Sequence, residues 1–184
     1  LQEDPYDCSL CRCSLDGGGM TVLSRGAGNH LISFAPDGEC YTDLLTESDL
    51  PPEFSLYRRD GSRAAVLTQC DAQWMKRDGF ITPIRFKLPG ADGQTPICGV
   101  LLLPDTAEKK VPIIDYYYGG TQHINTPHTF MGVAANSGFI ECLVQLGAAC
   151  VVLDGMGTPG RGKQFHDACY QRQGDCAGLE DHIA

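Results

Sequence analysis

The residues best placed to do chemistry stand at the ends of two apolar runs. Tyr116-Tyr117-Tyr118-Gly119-Gly120 closes the first, and Asp154-Gly155-Met156-Gly157-Thr158-Pro159-Gly160-Arg161-Gly162 closes the second. The stretch from Gly155 to Gly160 formally matches G-x-G-x-x-G after a strand. That is the fingerprint of a dinucleotide site, and so of an NAD-dependent oxidoreductase. Such a site requires a helix to begin inside the motif, so that its first N–H groups meet the pyrophosphate. Pro159 and the further Gly162 oppose such a helix, and Asp154 would set a carboxylate beside the phosphates. No second strand ends in an acid at the required distance. The stronger reading is a tight loop leaving a strand, with glycines where positive φ is needed.

Nucleophile and metal chemistries find little footing. None of the eight serines lies in G-x-S-x-G, so no nucleophile elbow and no triad can be assembled from these 184 residues. His123 and His128 are near each other without a carboxylate or cysteine at a matching step, and His30, His166 and His182 stand alone. Cys8-Ser9-Leu10-Cys11 has zinc-knuckle spacing, but no second close pair supplies the remaining ligands. Of the ten cysteines, Cys98, Cys142 and Cys150 sit in apolar runs where Val or Ala would serve equally. Most are therefore read as small buried hydrophobes. That usage favours a reducing compartment such as the cytoplasm and leaves a few disulfides open.

The elements that must position these residues change rhythm along the chain. The first part reads as short β-strands: Leu10 to Leu15, Met20 to Leu23, Leu31 to Phe34, Glu39 to Leu45 and Phe54 to Tyr57. Asp16-Gly17, Asp37-Gly38 and Asp60-Gly61 mark turns between them, which suggests an antiparallel meander such as a propeller blade. A blade needs neighbours to cover its faces. Leu67 to Phe80 reads as a connection, with Trp74 and Met75 as packing residues. Strands follow at Ile81 to Leu88 and Ile97 to Leu103. A third, Val111 to Tyr118, is nearly continuous in apolar character and so is expected to lie centrally in a sheet. Gly138 to Leu146 reads as a helix with Phe139, Ile140, Leu143 and Leu146 on one stripe and Gly147 as its stop. Ala148 to Leu153 is a buried strand. Strand, helix, strand makes a crossover unit of an α/β sheet, with the boundary between the two parts near residue 80.

Size and charge set limits on function. A chain of 184 residues holds one domain or parts of two, with an ordinary 42% hydrophobic and 20% charged content. A net charge of -9 argues against nucleic acid and against an anionic membrane surface. No apolar stretch approaches the roughly 20 residues that span a bilayer. The start Leu1-Gln2-Glu3-Asp4 lacks a signal-peptide core.

Several further stretches fall in a recognisable order: Leu10 to Gly17, Gly28-Asn29-His30, Ser33 to Gly38, Pro51-Pro52, Ser55-Leu56 and Asp60-Gly61. Asp92-Gly93, Ile97 to Pro104, Tyr118-Gly119-Gly120, Gly157 to Phe165 and Glu180-Asp181 continue it. In that order, over nearly the full length, the chain resembles the prolyl oligopeptidase family of serine peptidases, most closely its dipeptidyl peptidase IV branch. The resemblance implies a β-propeller followed by an α/β-hydrolase domain. Residues 1–80 would be the C-terminal part of the propeller, its last blade. Residues 81–184 would be the N-terminal half of the hydrolase sheet. The family's Tyr-Gly-Gly tyrosine donates its hydroxyl to the oxyanion, and the matching residue is Tyr118; the alternative is that all three tyrosines only pack. Asp154 and Gly155 would hold the following loop in shape. Thr121 stands where the family usually has proline, and Met156 where it usually has a loop-anchoring arginine.

The implied activity is release of N-terminal dipeptides through an acyl-enzyme, with a peptide as substrate and no metal or organic cofactor. The triad would lie beyond Ala184 and the residues binding the substrate amine before Leu1, so this chain alone is expected to be inactive. A homodimer is the assembly the resemblance suggests for the whole protein. Related enzymes are often secreted or membrane-anchored, which leaves the compartment open. A non-catalytic, protein-binding relative of the same fold is the first alternative, and the NAD-dependent oxidoreductase the second.

Overall fold

A computed structural model describes residues 4–73, 77, 79–105, 110–130, 139–172, 174 and 178–184. The chain forms two compact units. Residues 1–78 with His128–Phe130 make the first, and residues 79–127 with 131–184 the second.

The first unit is built from antiparallel strands. β1 (Cys11–Cys13) and β2 (Met20–Val22) form a hairpin around Asp16-Gly17, where Asp16 accepts the Gly18 N–H at 2.9 Å. β3 (Asn29–Phe34), β4 (Cys40–Thr46), β5 (Glu53–Arg58) and β6 (Arg63–Gln69) follow as a four-stranded meander in that spatial order. The expected Asp-Gly turns join β3 to β4 and β5 to β6. At the second of these turns Asp60 accepts the Ser62 N–H at 2.8 Å and Gly61 takes φ 86°. β4 alternates as its sequence predicts, burying Tyr41 and Asp43. Tyr41 stacks on Tyr57 across the ladder, with centroids 5.4 Å apart. Burial pushes both phenols up from their ordinary pKa. Asp43 accepts from His30 Nδ1 at 2.7 Å, both side chains buried. His128–Phe130 returns to this unit: Asn29 Nδ2 donates to the His128 carbonyl and the Phe130 N–H donates to Thr46 Oγ1.

β6 corrects the expected connection from Leu67. The strand runs to Gln69, and every residue in it is exposed. No buried face imposed an alternation on Ala64-Ala65-Val66-Leu67, so the pattern carried no strand signal. Trp74 and Met75 lie outside the described residues.

The second unit is a mixed sheet. β7 (Ile84–Pro89), β8 (Pro96–Leu102), β9 (Ile113–Asp115) and β10 (Ala149–Asp154) lie in the order β7-β8-β10-β9. β10 pairs antiparallel with β8 and parallel with β9. The helix α1 (Phe139–Gln145) connects the parallel pair, which gives the expected crossover unit. Val100, Leu102, Ile140, Val144, Cys150 and Val152 form the core between helix and sheet. Gly147, at φ 101°, ends the helix in a Schellman arrangement: its N–H bonds the Val144 carbonyl and the Ala148 N–H bonds that of Leu143.

Three expectations are corrected here. β9 is not a central strand: it spans three residues and stands last in the described order, with Ile113 71% exposed. Pro112 can only accept in the ladder, and the chain leaves the sheet after the Tyr116 N–H bonds Val151. The buried residues of α1 are Ile140 and Val144, with Leu143 half-buried beside them, whereas Phe139 and Leu146 are exposed. Nor are most of the described cysteines buried. Cys98, Cys150 and Cys169 are, but Cys8, Cys11, Cys13, Cys70 and Cys142 are exposed. Cys142 lies off the buried face of α1, and its apolar neighbours in sequence gave no sign of that.

Among the described residues no helix is long and apolar enough to cross a membrane.

Candidate active site

β9 and β10 run parallel, so their carboxyl ends open at one edge of the sheet. From that edge leave the tyrosine segment after Asp115 and the glycine loop after Asp154. This is where ligands meet open α/β sheets.

The three tyrosines go to three different places. Tyr116 packs against the core under α1, its ring edge-on to Phe139 at 5.5 Å. Tyr117 sets its ring at 87° to that of His182, 4.8 Å away, and burial pushes its phenol up. Tyr118 is 47% exposed and meets the ring of His123 at 5.8 Å. Of the three hydroxyl-bearing rings, Tyr118 is the most open to a ligand.

Asp154 is 1% exposed at the end of β10. Its Oδ1 accepts the Asn125 N–H at 2.7 Å and its Oδ2 the Thr126 N–H at 3.0 Å. Thr126 Oγ1 donates to the Cys98 carbonyl, and Asn125 Nδ2 donates to the Tyr116 carbonyl. Of the pair expected to shape the following loop, Gly155 does so, its carbonyl accepting the Thr158 N–H and hydroxyl, while the reach of Asp154 also extends across the sheet. Its carboxylate grips the segment that follows Tyr118, because the parallel pairing brings that segment to its side.

The glycine loop is held by other groups. Asp181, from the short helix α3 (Leu179–Ile183), accepts the Met156 N–H at 2.6 Å and the Ala91 N–H at 2.9 Å. The Gly157 N–H donates to the Phe165 carbonyl. Gly157 itself is obligatory, at φ 107° and with Cys169 Sγ occupying the place of a side chain. Arg161 donates to the Pro96 carbonyl and lies over the Phe165 ring, 4.2 Å from its centroid. His166 Nε2 lies 3.2 Å from the Thr121 carbonyl, joining this loop to the tyrosine segment. Met156 packs against Ile97, Leu153 and Phe165, and so anchors the loop by apolar burial.

The dinucleotide reading loses its geometry. The next helix, α2 (Lys163–His166), begins after the whole glycine motif and lasts four residues. Gly155 packs against Gly178 closely enough that a Cβ would fall 2.7 Å from its Cα. Those glycines serve protein packing. Among the described residues no group of three or more His, Cys, Asp or Glu side chains is placed to hold a metal ion.

The sequence marks Tyr118 and the glycine loop as strand-end segments but carries little sign of the groups that hold them. Asp181 entered only as part of a resemblance, although an acid in a helix's first turn is a signal that exists. Asn125, Thr126 and His182 meet their partners across 28 to 67 residues of chain, and no local pattern announces such pairs.

An antiparallel meander followed by a mixed sheet ending in a parallel crossover fits a partial propeller and hydrolase fold. Solved structures share that fold. The chain matches a Bacteroides ovatus protein designated a dipeptidyl aminopeptidase IV with a TM-score of 0.71 at 18% identity, over 96% of this chain and 32% of that one. It matches Porphyromonas gingivalis dipeptidyl peptidase 4 with a TM-score of 0.73 at 15% identity, over 92% of this chain and 24% of that one. The resemblance read from the motifs is thus met at the level of fold, and the chain spans about a third and a quarter of those proteins' lengths. No protein-family profile matches the sequence.

Proposed function

We propose that this chain is part of a serine exopeptidase of the dipeptidyl peptidase IV type. In this reading residues 1–80 are the last part of a propeller and residues 81–184 the opening half of a peptidase domain. Tyr118 donates its hydroxyl to the oxyanion while a serine supplied elsewhere in the polypeptide is acylated. The observation that carries the reading is the half-exposed Tyr118, at the carboxyl edge of a sheet that shares its fold with dipeptidyl peptidases.

The chemistry follows from that position. An oxyanion forms only in the tetrahedral intermediate, so a donor aimed at it stabilises the transition state more than the ground state. Removing it should lower turnover and leave substrate affinity nearly unchanged. In the full-length polypeptide acting on a Gly-Pro chromogen, Tyr118→Phe should lower kcat about 100-fold with little change in KM. Parental turnover would remove Tyr118 from the site. No hydrolysis by the full-length protein would favour the non-catalytic, protein-binding alternative. The isolated 184-residue chain, which contains no G-x-S-x-G, is expected to release no chromogen.

A further inference from the structure

We infer that Asp115 and His182 form a positioning pair for the oxyanion tyrosine, an inference that rests on the proposed role of Tyr118. β9 ends at Asp115, three residues before Tyr118. Both Asp115 oxygens lie near His182 Nδ1, at 2.8 and 2.9 Å. An ionised carboxylate can only accept, so Nδ1 carries the proton and donates to it. The His182 side chain is 2% exposed. Its mount is fixed, because the preceding residue, Asp181, is bound to the Ala91 and Met156 amides.

The ring of His182 does a second thing. Tyr117 sets its ring at 87° to it, which pins the residue directly before Tyr118. Tyr116 is pinned in the other direction, into the core beside Phe139. Asp115 and Tyr117 are thus both held by His182 and Tyr116 by the core, which leaves Tyr118, 47% exposed against 37% for Tyr117, as the most open ring of the three. A donor must sit within hydrogen-bond distance of an atom that becomes charged only in the transition state. Misplacing a reacting group by about 1 Å costs about 100-fold in rate. Loosening a segment one residue away should cost less, about tenfold. Neither Asp115 nor His182 needs to touch substrate for this: they act through Tyr117 and the backbone.

The test uses the full-length polypeptide and a Gly-Pro chromogen, with variants combined in a cycle. His182→Leu should lower kcat about tenfold and leave KM within about twofold. His182→Asn keeps an N–H donor where Nδ1 stands and should recover most of that loss. In a Tyr118→Phe background, where the hydroxyl being positioned is gone, His182→Leu should lower kcat by less than about twofold. The inference is overturned if His182→Leu keeps parental kcat while Tyr118→Phe loses it. It is overturned equally if the tenfold loss persists undiminished in the Tyr118→Phe background. Parental kcat in Tyr118→Phe itself would end the oxyanion reading and this inference with it, which separates the two failures. Should His182→Leu fail to fold, Tyr117→Leu removes the ring contact, leaves the Asp115–His182 bond, and carries the same expected split.

Discussion

Replacing Asp154 by alanine tests whether one buried carboxylate holds the tyrosine segment in place. Asp154 is 1% exposed and accepts the Asn125 and Thr126 amides at 2.7 and 3.0 Å. A hydrogen bond to a charged group contributes about 1.5–3 kcal/mol, so the two together give about 3–6 kcal/mol. Alanine also ends the cost of keeping a carboxylate out of water, which pulls the net loss towards about 3 kcal/mol. The β8–β10 ladder is made by the backbone and survives, so the loss falls on residues 119–127. A local opening made easier by about 3 kcal/mol speeds amide exchange about 150-fold. Hydrogen exchange of the full-length polypeptide, read by mass spectrometry on peptides covering 119–127, measures this directly. Peptides from β8 should keep their protection. Asp154→Asn retains one acceptor and turns an amide donor towards the other N–H, so its effect should be intermediate. Unchanged exchange at 119–127 would refute the grip. Equal loss of protection throughout the second unit would refute its local character.

Two further outcomes are expected. Met156→Arg introduces the residue type usual in the family the motifs resemble, yet it should lower the melting temperature, because a guanidinium would replace a side chain packed on Ile97, Leu153 and Phe165. A rise in melting temperature would show that the loop can still use a charged anchor. The Thr95 hydroxyl, followed by the Gln94 and Thr95 amides, holds the Asp92 carboxyl below its usual pKa. A lowered folded value means that this contribution is complete above the unfolded value, about 3.9, and is lost as pH falls through the folded one. Asp92→Ala should therefore lower the melting temperature at neutral pH and have no effect once the acid is protonated in both states. An equal effect at both pH values would separate Asp92 from the turn.

What the sequence determined by itself was local. Asp-Gly pairs between short alternating runs determined the meander, because turn chemistry and a period of two act within a few residues. The apolar run at Ala148 to Leu153 and the stop at Gly147 determined β10 and the end of α1 for the same reason. The glycine loop was legible as a strand end, and Tyr118 less so because β9 stops three residues short of it at Asp115. The order of weak motifs pointed to the fold that the solved structures share. Only the tertiary structure decided what those strand ends touch. It put β9 last in the described sheet, turned Cys142 outward, and separated three adjacent tyrosines onto Phe139, His182 and His123. It gave Asp154 to the Asn125 and Thr126 amides and Asp181 to the glycine loop. A buried carboxylate must find donors wherever the fold brings them, and here the fold brings them from 25 to 90 residues away along the chain.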